Sequence, residues 1–399
     1  MKINLNKKLF LNKVSEIRKP PINLSSEEEF LFKHEYKIEQ PSNYIYQLRD
    51  VSICNHFLYT TKKKSFLDLN FQKPGKNQIF SYFPELLNFK NFSKLKKYRL
   101  LKNIFLNKTL VFFKTILIYI KHKIILFISR VMVLLKANTS AEITLGSGVW
   151  FTDSWKWANY FHWITDFLPK VIIFNKKNPN SNFLLPENFL RNAPFVISSL
   201  KILDINYEIL YSNKCYSFKK LDVFNNYSVT GNQRKDLLKE LNKNFKKLYI
   251  KKQKIEQIHE KPVNIYLKRK ANNKKFNSIR SIINESELAS VFSKYNIKTL
   301  TTDDSDFYDQ FKLFSNCKFL ISIHGAGLTN MIFMSKGSSL LELRNKNDNG
   351  SNCYFSMCSN LDINYYYLCG NSLNNSNIYN AQLLIDTLKL DKIIESILI

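Results

Sequence analysis

An α/β fold built on an open parallel sheet is predicted by three observations. Between residues 263 and 343, short apolar runs alternate with amphipathic ones in the order β-α-β-α-β-α-β, the pattern of a parallel sheet covered by helices. The third apolar run, Phe319-Leu320-Ile321-Ser322-Ile323, breaks into His324-Gly325-Ala326-Gly327-Leu328-Thr329-Asn330 and resumes with Met331-Ile332-Phe333-Met334. A buried strand thus passes through glycines into a packed helix. Finally, 399 residues, 45% of them hydrophobic, suffice for two domains of ordinary size.

The elements follow in chain order. Residues 1–98 are polar, aromatic and irregular, with a break at Pro20-Pro21, a helix start at Ser25-Ser26-Glu27-Glu28-Glu29 and a turn at Pro74-Gly75. Residues 100–135 are dense in Leu, Ile, Phe and Val but interrupted by Lys102, Lys108, Lys114, Lys121, Lys123 and Arg130. No uncharged run there approaches the ~18–20 residues of a spanning helix. A basic apolar helix lying in an anionic membrane interface and a packed helical hairpin both fit. A long Lys/Leu helix over 233–254 leads toward a linker near Glu260-Lys261-Pro262. Val263–Leu267 is the first strand of the alternating part. Asn284 caps a helix carrying Leu288, Val291 and Phe292, and Ile297–Leu300 is the next strand. Ser305 or Asp306 caps a helix with Phe307, Phe311 and Phe314 on one face. The Phe319 strand, the glycine turn and the strand Ser338–Leu343 complete the series, and Tyr365-Tyr366-Tyr367 reads as a core strand.

In such sheets ligands bind at the carboxyl ends of the strands. Arg269, the turn from His324 to Asn330, and Glu342 all follow strands on that edge. Unpaired amides and the dipole at a helix start favour an anion. Arg269 suits a phosphate in forked geometry, His324 and Asn330 can donate, and Glu342 can accept from ribose hydroxyls. Gly327 is expected against the diphosphate, where a larger side chain would crowd it. A nucleoside diphosphate is the natural guest. Upstream, His162 and Asp166 are four apart and share a helical face. Such a pair suits a general base. Trp155, Trp157 and Trp163, three of four tryptophans, suggest stacking on sugar rings; an aromatic core helix would have the same composition.

Taken together, Asn159, His162, Trp163, Asp166 and Pro169, then Arg280, Asn284 and Glu285, then the His-Gly-Ala-Gly-Leu-Thr-Asn turn and the Leu-Glu-Leu strand resemble glycosyltransferase family 61 in its bacterial capsular-polysaccharide branch. The resemblance covers roughly residues 150–370. It implies a GT-B-like pair of Rossmann-type lobes with a cleft between them. In that arrangement 1–140 form an accessory region, 141–258 an acceptor-side lobe, 259–372 a donor-binding lobe and 373–399 a helical tail. It implies sugar transfer from a nucleotide-sugar donor to a glycan or lipid-linked acceptor, with inversion, no metal and no other cofactor. Asp166 or His162 would be the base, Asp166 the first choice. Arg269, Arg280, Asn284, Glu285, His324, Gly325, Ala326, Gly327, Leu328, Thr329, Asn330 and Glu342 would bind the donor, and Trp157 and Trp163 would face the acceptor.

Composition bounds the alternatives. The net charge is +28, which suggests nucleic acid first. Yet the lysines are scattered and no aromatic platform accompanies them, so no nucleic acid is expected; a basic nucleic-acid-binding protein, or a nucleotide-binding α/β protein without transferase activity, is the alternative reading. A dehydrogenase would want Gly-x-Gly-x-x-Gly after its first strand. Asp303-Asp304-Ser305-Asp306 reads as a capping cluster rather than a metal site. The six cysteines show no Cys-x-x-Cys spacing and are expected as reduced thiols. The N-terminus lacks a signal-peptide core, so a cytoplasmic location, peripheral on the inner face of the plasma membrane through 100–135, is expected.

Overall fold

The computed structural model describes residues 6–54, 57–60, 142–151, 159–224, 231–256, 261–269, 280–302, 305–348, 352–372 and 381–399. The expectations for segment 100–135, for Trp155 and Trp157, and for Asp303 and Asp304 lie outside the described residues.

The N-terminal half supplies β1 (Asn6–Leu11), β2 (Val14–Ile17), β3 (Lys37–Gln40), β4 (Asn43–Cys54), β5 (Phe57–Thr60), β6 (Glu142–Thr144), β7 (Ser147–Phe151), β8 (Phe183–Pro186), β9 (Tyr207–Leu210) and β10 (Cys215–Phe224). One sheet runs β1-β4-β10-β7-β8-β9, with β5 paired to β4 and β6 to β10, while β2 and β3 pair with each other. The β10, β7, β8 and β9 side is parallel, but β1, β4 and β10 are antiparallel. The first lobe therefore carries a mixed sheet, not the Rossmann-type sheet expected, and strands from the supposed accessory region are built into it. The reason they escaped notice is visible in β4. Its inward positions include Asn43 and Gln47 beside Ile45, Leu48, Val51 and Ile53, so the polar pair breaks the apolar alternation that marks a half-buried strand. Gln47 is satisfied by donating to Asp222 Oδ1 at 3.0 Å.

Cys54 and Cys215 face each other in the β4–β10 register and are joined by a disulfide, Cα to Cα 4.4 Å. This corrects the expectation of six thiols: antiparallel pairing brings two cysteines 161 residues apart into bonding range. The other four cysteines are in no disulfide.

The second sheet comprises β11 (Val263–Leu267), β12 (Lys298–Leu300), β13 (Cys317–Ile323), β14 (Ser339–Asn345), β15 (Asn364–Ser372) and β16 (Leu383–Leu384). Its order is β12-β11-β13-β14-β15-β16. All pairs are parallel except β15–β16. The helices are α1 (Leu168–Lys177), α2 (Pro194–Ile202), α3 (Lys235–Glu256), α4 (Glu285–Lys294), α5 (Phe307–Ser315), α6 (Cys353–Leu361) and α7 (Thr387–Leu398). On one face of the second sheet, Phe245 of α3 and Phe307 and Phe311 of α5 gather around Phe333. On the other, Leu288 and Phe292 of α4 and Leu390 and Ile394 of α7 cover Ile321 and Leu341. Asp306 caps α5 by accepting from the Asp309 amide at 2.8 Å. The strand order reverses between β11 and β13, and in open α/β sheets the crevice at that reversal, beyond the carboxyl ends, is where ligands bind.

Side chains tie the two halves together. Asn242 of α3 donates to the carbonyls of Ile332 and Met334, at 2.7 and 3.0 Å. Asn360 of α6 donates to the Gln233 carbonyl at 2.7 Å. No helix among the described residues is long and apolar enough to cross a membrane.

Candidate active site

At the reversal point, β13 ends at Ile323 and the His324 amide donates to the Leu343 carbonyl at 3.0 Å. Gly325 is extended, and a 3-10 helix, Ala326–Phe333, follows where the sequence suggested an ordinary α-helix. Its first amides lack intrahelical acceptors by construction. Two guanidiniums reach this point from the two ends of the connection between β11 and α4. A Cβ added to Gly325 would lie 2.8 Å from Arg269 Nη1 and 3.7 Å from Arg280 Nη1. Arg280 also donates to the His324 carbonyl. Burial, and then the neighbouring Arg269, hold the Arg280 guanidinium below its ordinary pKa. Two like charges held together beside open amides make a strong site for a dianion.

The rest of the turn plays another part than the one expected. A Cβ on Gly327 would meet Leu267 Cδ2 at 2.7 Å, so this glycine, expected to be needed beside the diphosphate, is needed for the turn to pack on β11. Leu328, Thr329 and Asn330 are completely buried. Asn330 accepts from the Tyr160 hydroxyl and donates to Gln310 Oε1, linking the turn to the first lobe and to α5. These three are structural, not donor-facing, because the 3-10 helix sinks into the core immediately after its first residues. Asn284 is likewise structural. Its amide donates to the Ile385 carbonyl at 2.8 Å and accepts from the Ile385 amide at 3.1 Å, clamping the chain before α7. Glu285 accepts from Tyr266 at 2.9 Å and pairs with Lys268 at 2.6 Å.

Glu342 is 0% exposed and does not present a carboxylate to a ribose. One oxygen binds His324 Nδ1 and the other accepts from the Tyr365 hydroxyl at 2.7 Å. Burial alone would raise this carboxyl, but His324, Arg344 and Tyr365 outweigh it and hold it below the usual carboxylate range. His324 keeps 15% of its side chain exposed. The group on the rim is the imidazole, with the carboxylate behind it.

The first lobe repeats this device. Tyr160–His162 form one helical turn, Trp163–Phe167 a π-helical turn, and α1 continues. A π turn inserts one extra residue into an α-helix and is frequent at functional sites. His162 Nδ1 lies 2.8 Å from Asp166 Oδ2. Asp166 is 5% exposed, against 16% for His162, and its second oxygen accepts from Thr165 at 3.3 Å. The order of the pair is thus the reverse of the sequence expectation: Asp166 backs His162. Trp163 is fully buried and donates to Ser199 Oγ at 2.8 Å; it is core and does not face an acceptor. Trp157 lies outside the described residues.

The two imidazoles flank one aromatic pair. The Phe161 ring is 5.3 Å from His162 and 5.8 Å from Tyr354, and Tyr354 is 5.0 Å from His324. Burial pushes the Tyr354 hydroxyl well above its ordinary range, so it stays protonated. Tyr354, Tyr365 and Arg344 escaped the sequence reading. Arg344 had a signal: it sits two residues after Glu342 on a strand and so shares its face. Among the described residues no group of three His, Cys, Asp or Glu could hold a metal ion.

Comparison with known proteins gives the same direction. Residues 160–341 match the family model described as Glycosyltransferase 61, a stretch that holds both His162 and the glycine turn. The protein O-linked-mannose beta-1,4-N-acetylglucosaminyltransferase 2 of Xenopus laevis is 39% identical over 67 residues, 16% of this chain and 12% of the relative. Its Homo sapiens counterpart is 37% identical over 67 residues. The EGF domain-specific O-linked N-acetylglucosamine transferase of Drosophila melanogaster is 33% identical over 78 residues, 19% of this chain and 15% of the relative. The chain thus spans only 12–15% of the length of these curated relatives. They are animal enzymes, not capsular ones. The family match supports glycosyltransferase family 61 for residues 160–341.

Proposed function

We propose that this chain is an inverting glycosyltransferase of family 61 whose donor binds at the parallel second sheet, with the mixed first sheet on the acceptor side. The donor diphosphate binds where Arg269 and Arg280 converge on Gly325. This juxtaposition, at the strand-order reversal, is the observation that carries the reading. The relatives' names make N-acetylglucosamine the first donor sugar to test. The acceptor is a glycan; a lipid-linked precursor of a surface or capsular polysaccharide follows from the bacterial branch of the family.

The chemistry divides between the two imidazoles. Asp166 holds His162 Nδ1–H, which leaves Nε2 with the lone pair. That nitrogen takes the proton of the acceptor hydroxyl as the oxygen attacks the anomeric carbon. The bond from that carbon to the diphosphate oxygen breaks, and the diphosphate leaves with the electron pair from the opposite face. Arg269, Arg280, the turn amides and His324, backed by Glu342, meet the growing negative charge. With cations supplied by side chains, the step proceeds without a divalent ion. The Cys54–Cys215 bond supports an oxidising compartment over the cytosol.

The test is a transfer assay with a panel of nucleotide sugars in excess chelator, reading the anomeric configuration of the product. Inverted product with chelator present is expected. Transfer that is lost in chelator and restored by a divalent ion would refute the cationic account of the leaving group.

A further inference from the structure

A buried row of alternating charges runs from the N-terminal segment to His324. Arg18 lies 3.3 Å from Glu35 Oε2, and its side chain is fully buried. Burial raises the Glu35 carboxyl above its ordinary range, while Arg18, then His34 at 3.6 Å and Arg344, with Asn352 alongside, favour its charged form. Arg344 donates to Asn352 Oδ1 at 2.8 Å and to the Tyr365 hydroxyl at 3.3 Å. Tyr365 donates to Glu342, which holds His324. The signs alternate along the row: Arg18, Glu35, Arg344, Glu342, then the imidazole. The segment bearing Arg18 and Glu35 is fastened to the second sheet by independent contacts. Asn352 donates to the Leu31 carbonyl at 2.7 Å, Tyr367 donates to Glu28 at 2.6 Å, and the Arg344 guanidinium lies 5.2 Å from the centre of the Phe32 ring.

We propose that Glu35 is a positioning residue for His324, acting through Arg344 and Glu342, so that the N-terminal segment belongs to the leaving-group side of the active site. The physical reason is compensation. Arg344 beside Glu342 draws the carboxylate away from the imidazole, and Glu35 balances Arg344 from its other side. Remove the Glu35 charge and Arg344 acts on Glu342 uncompensated, which disfavours the imidazolium. Remove the Arg344 charge and the imidazolium is favoured. In a buried row such effects carry further than at a surface. The role in transfer rests on the glycosyltransferase reading; the electrostatic coupling does not.

Around His324 stand Glu342 from β14 on its Nδ1, with Tyr365 of β15 behind that carboxylate, Tyr354 from α6 against the ring, Arg280 on its carbonyl, and Arg269 beside the next residue, Gly325. Those that face Glu35 are Arg18, His34 and Arg344, with Glu16 beside Arg18.

The experiment is an NMR titration of the six histidines in the full chain, with His324 assigned from its absence in His324→Gln. Glu35→Gln is expected to lower the His324 midpoint by on the order of half a pH unit, and Arg344→Gln to raise it. His162 serves as the internal control and stays in place. An unmoved His324 midpoint in a folded Glu35→Gln variant, or shifts of the same sign in both variants, would overturn the proposal. Should Glu35→Gln not fold, Tyr365→Phe removes the hydroxyl that joins Arg344 to Glu342 and is expected to raise the midpoint; no movement there overturns it equally. The titration needs no donor, so it decides the coupling even if no sugar transfer is found.

Discussion

Asp166 and Glu342 do the same work on the two sides of the site. Each is buried, and each binds Nδ1 of a histidine with one oxygen and accepts from a hydroxyl with the other. Which member of the first pair lies nearer solvent was not legible in the sequence, because an i, i+4 pair shows only a shared face. The kinetic consequence is specific. His162→Ala is expected to lower kcat by roughly 10²–10⁴-fold with donor affinity nearly unchanged. Asp166→Asn is expected to be milder and to move the pH profile, since the ring loses its orienting charge but keeps its nitrogen. Steady-state kinetics across pH on both variants checks this; Asp166→Asn proving the more damaging change would return the base to Asp166.

At the scale of elements, the second sheet was largely legible and the first was not. The strands near Val263, Phe319 and Ser339 read as near-continuous apolar runs because both faces of a parallel sheet are covered, and the helices with Leu288 and Phe307 follow the helical apolar period. The strand near Asn6 is mostly exposed and buries only Phe10, and the strand near Asn43 buries Asn43 and Gln47, the latter paired across to Asp222, so no apolar period survives. The glycine turn was legible as a turn but not in its division of labour, which depends on neighbours far away in sequence. Gly325→Ala places a methyl against the tip of Arg269, so diphosphate affinity is expected to fall about tenfold while the melting temperature holds. Gly327→Ala drives a methyl into Leu267 and is expected to cost ~1–3 kcal/mol of stability. Thermal melts and nucleotide titrations on both variants separate the two roles. Equal loss of stability would show that both glycines serve packing alone.

For the whole molecule, the region read as accessory from residue 1 onward supplies strands to the first sheet and a strap across the second. Chain length and charge did not show this, since both depend on contacts between residues hundreds of positions apart, such as Asn23 with Tyr367. The Cys54–Cys215 bond is another such contact. Thiol titration of the denatured, unreduced protein is expected to find four thiols; six would remove the disulfide and with it the support for an oxidising compartment.

In the proposed reaction Arg269 and Arg280 together hold the donor diphosphate. Calorimetric titration of nucleoside diphosphates and nucleotide sugars into the parent chain and into an Arg269→Gln/Arg280→Gln double variant tests it most directly. The expected result is saturable binding to the parent, weakened by at least roughly 100-fold in the double variant, with the fold retained. Undiminished affinity in the folded double variant would contradict the account.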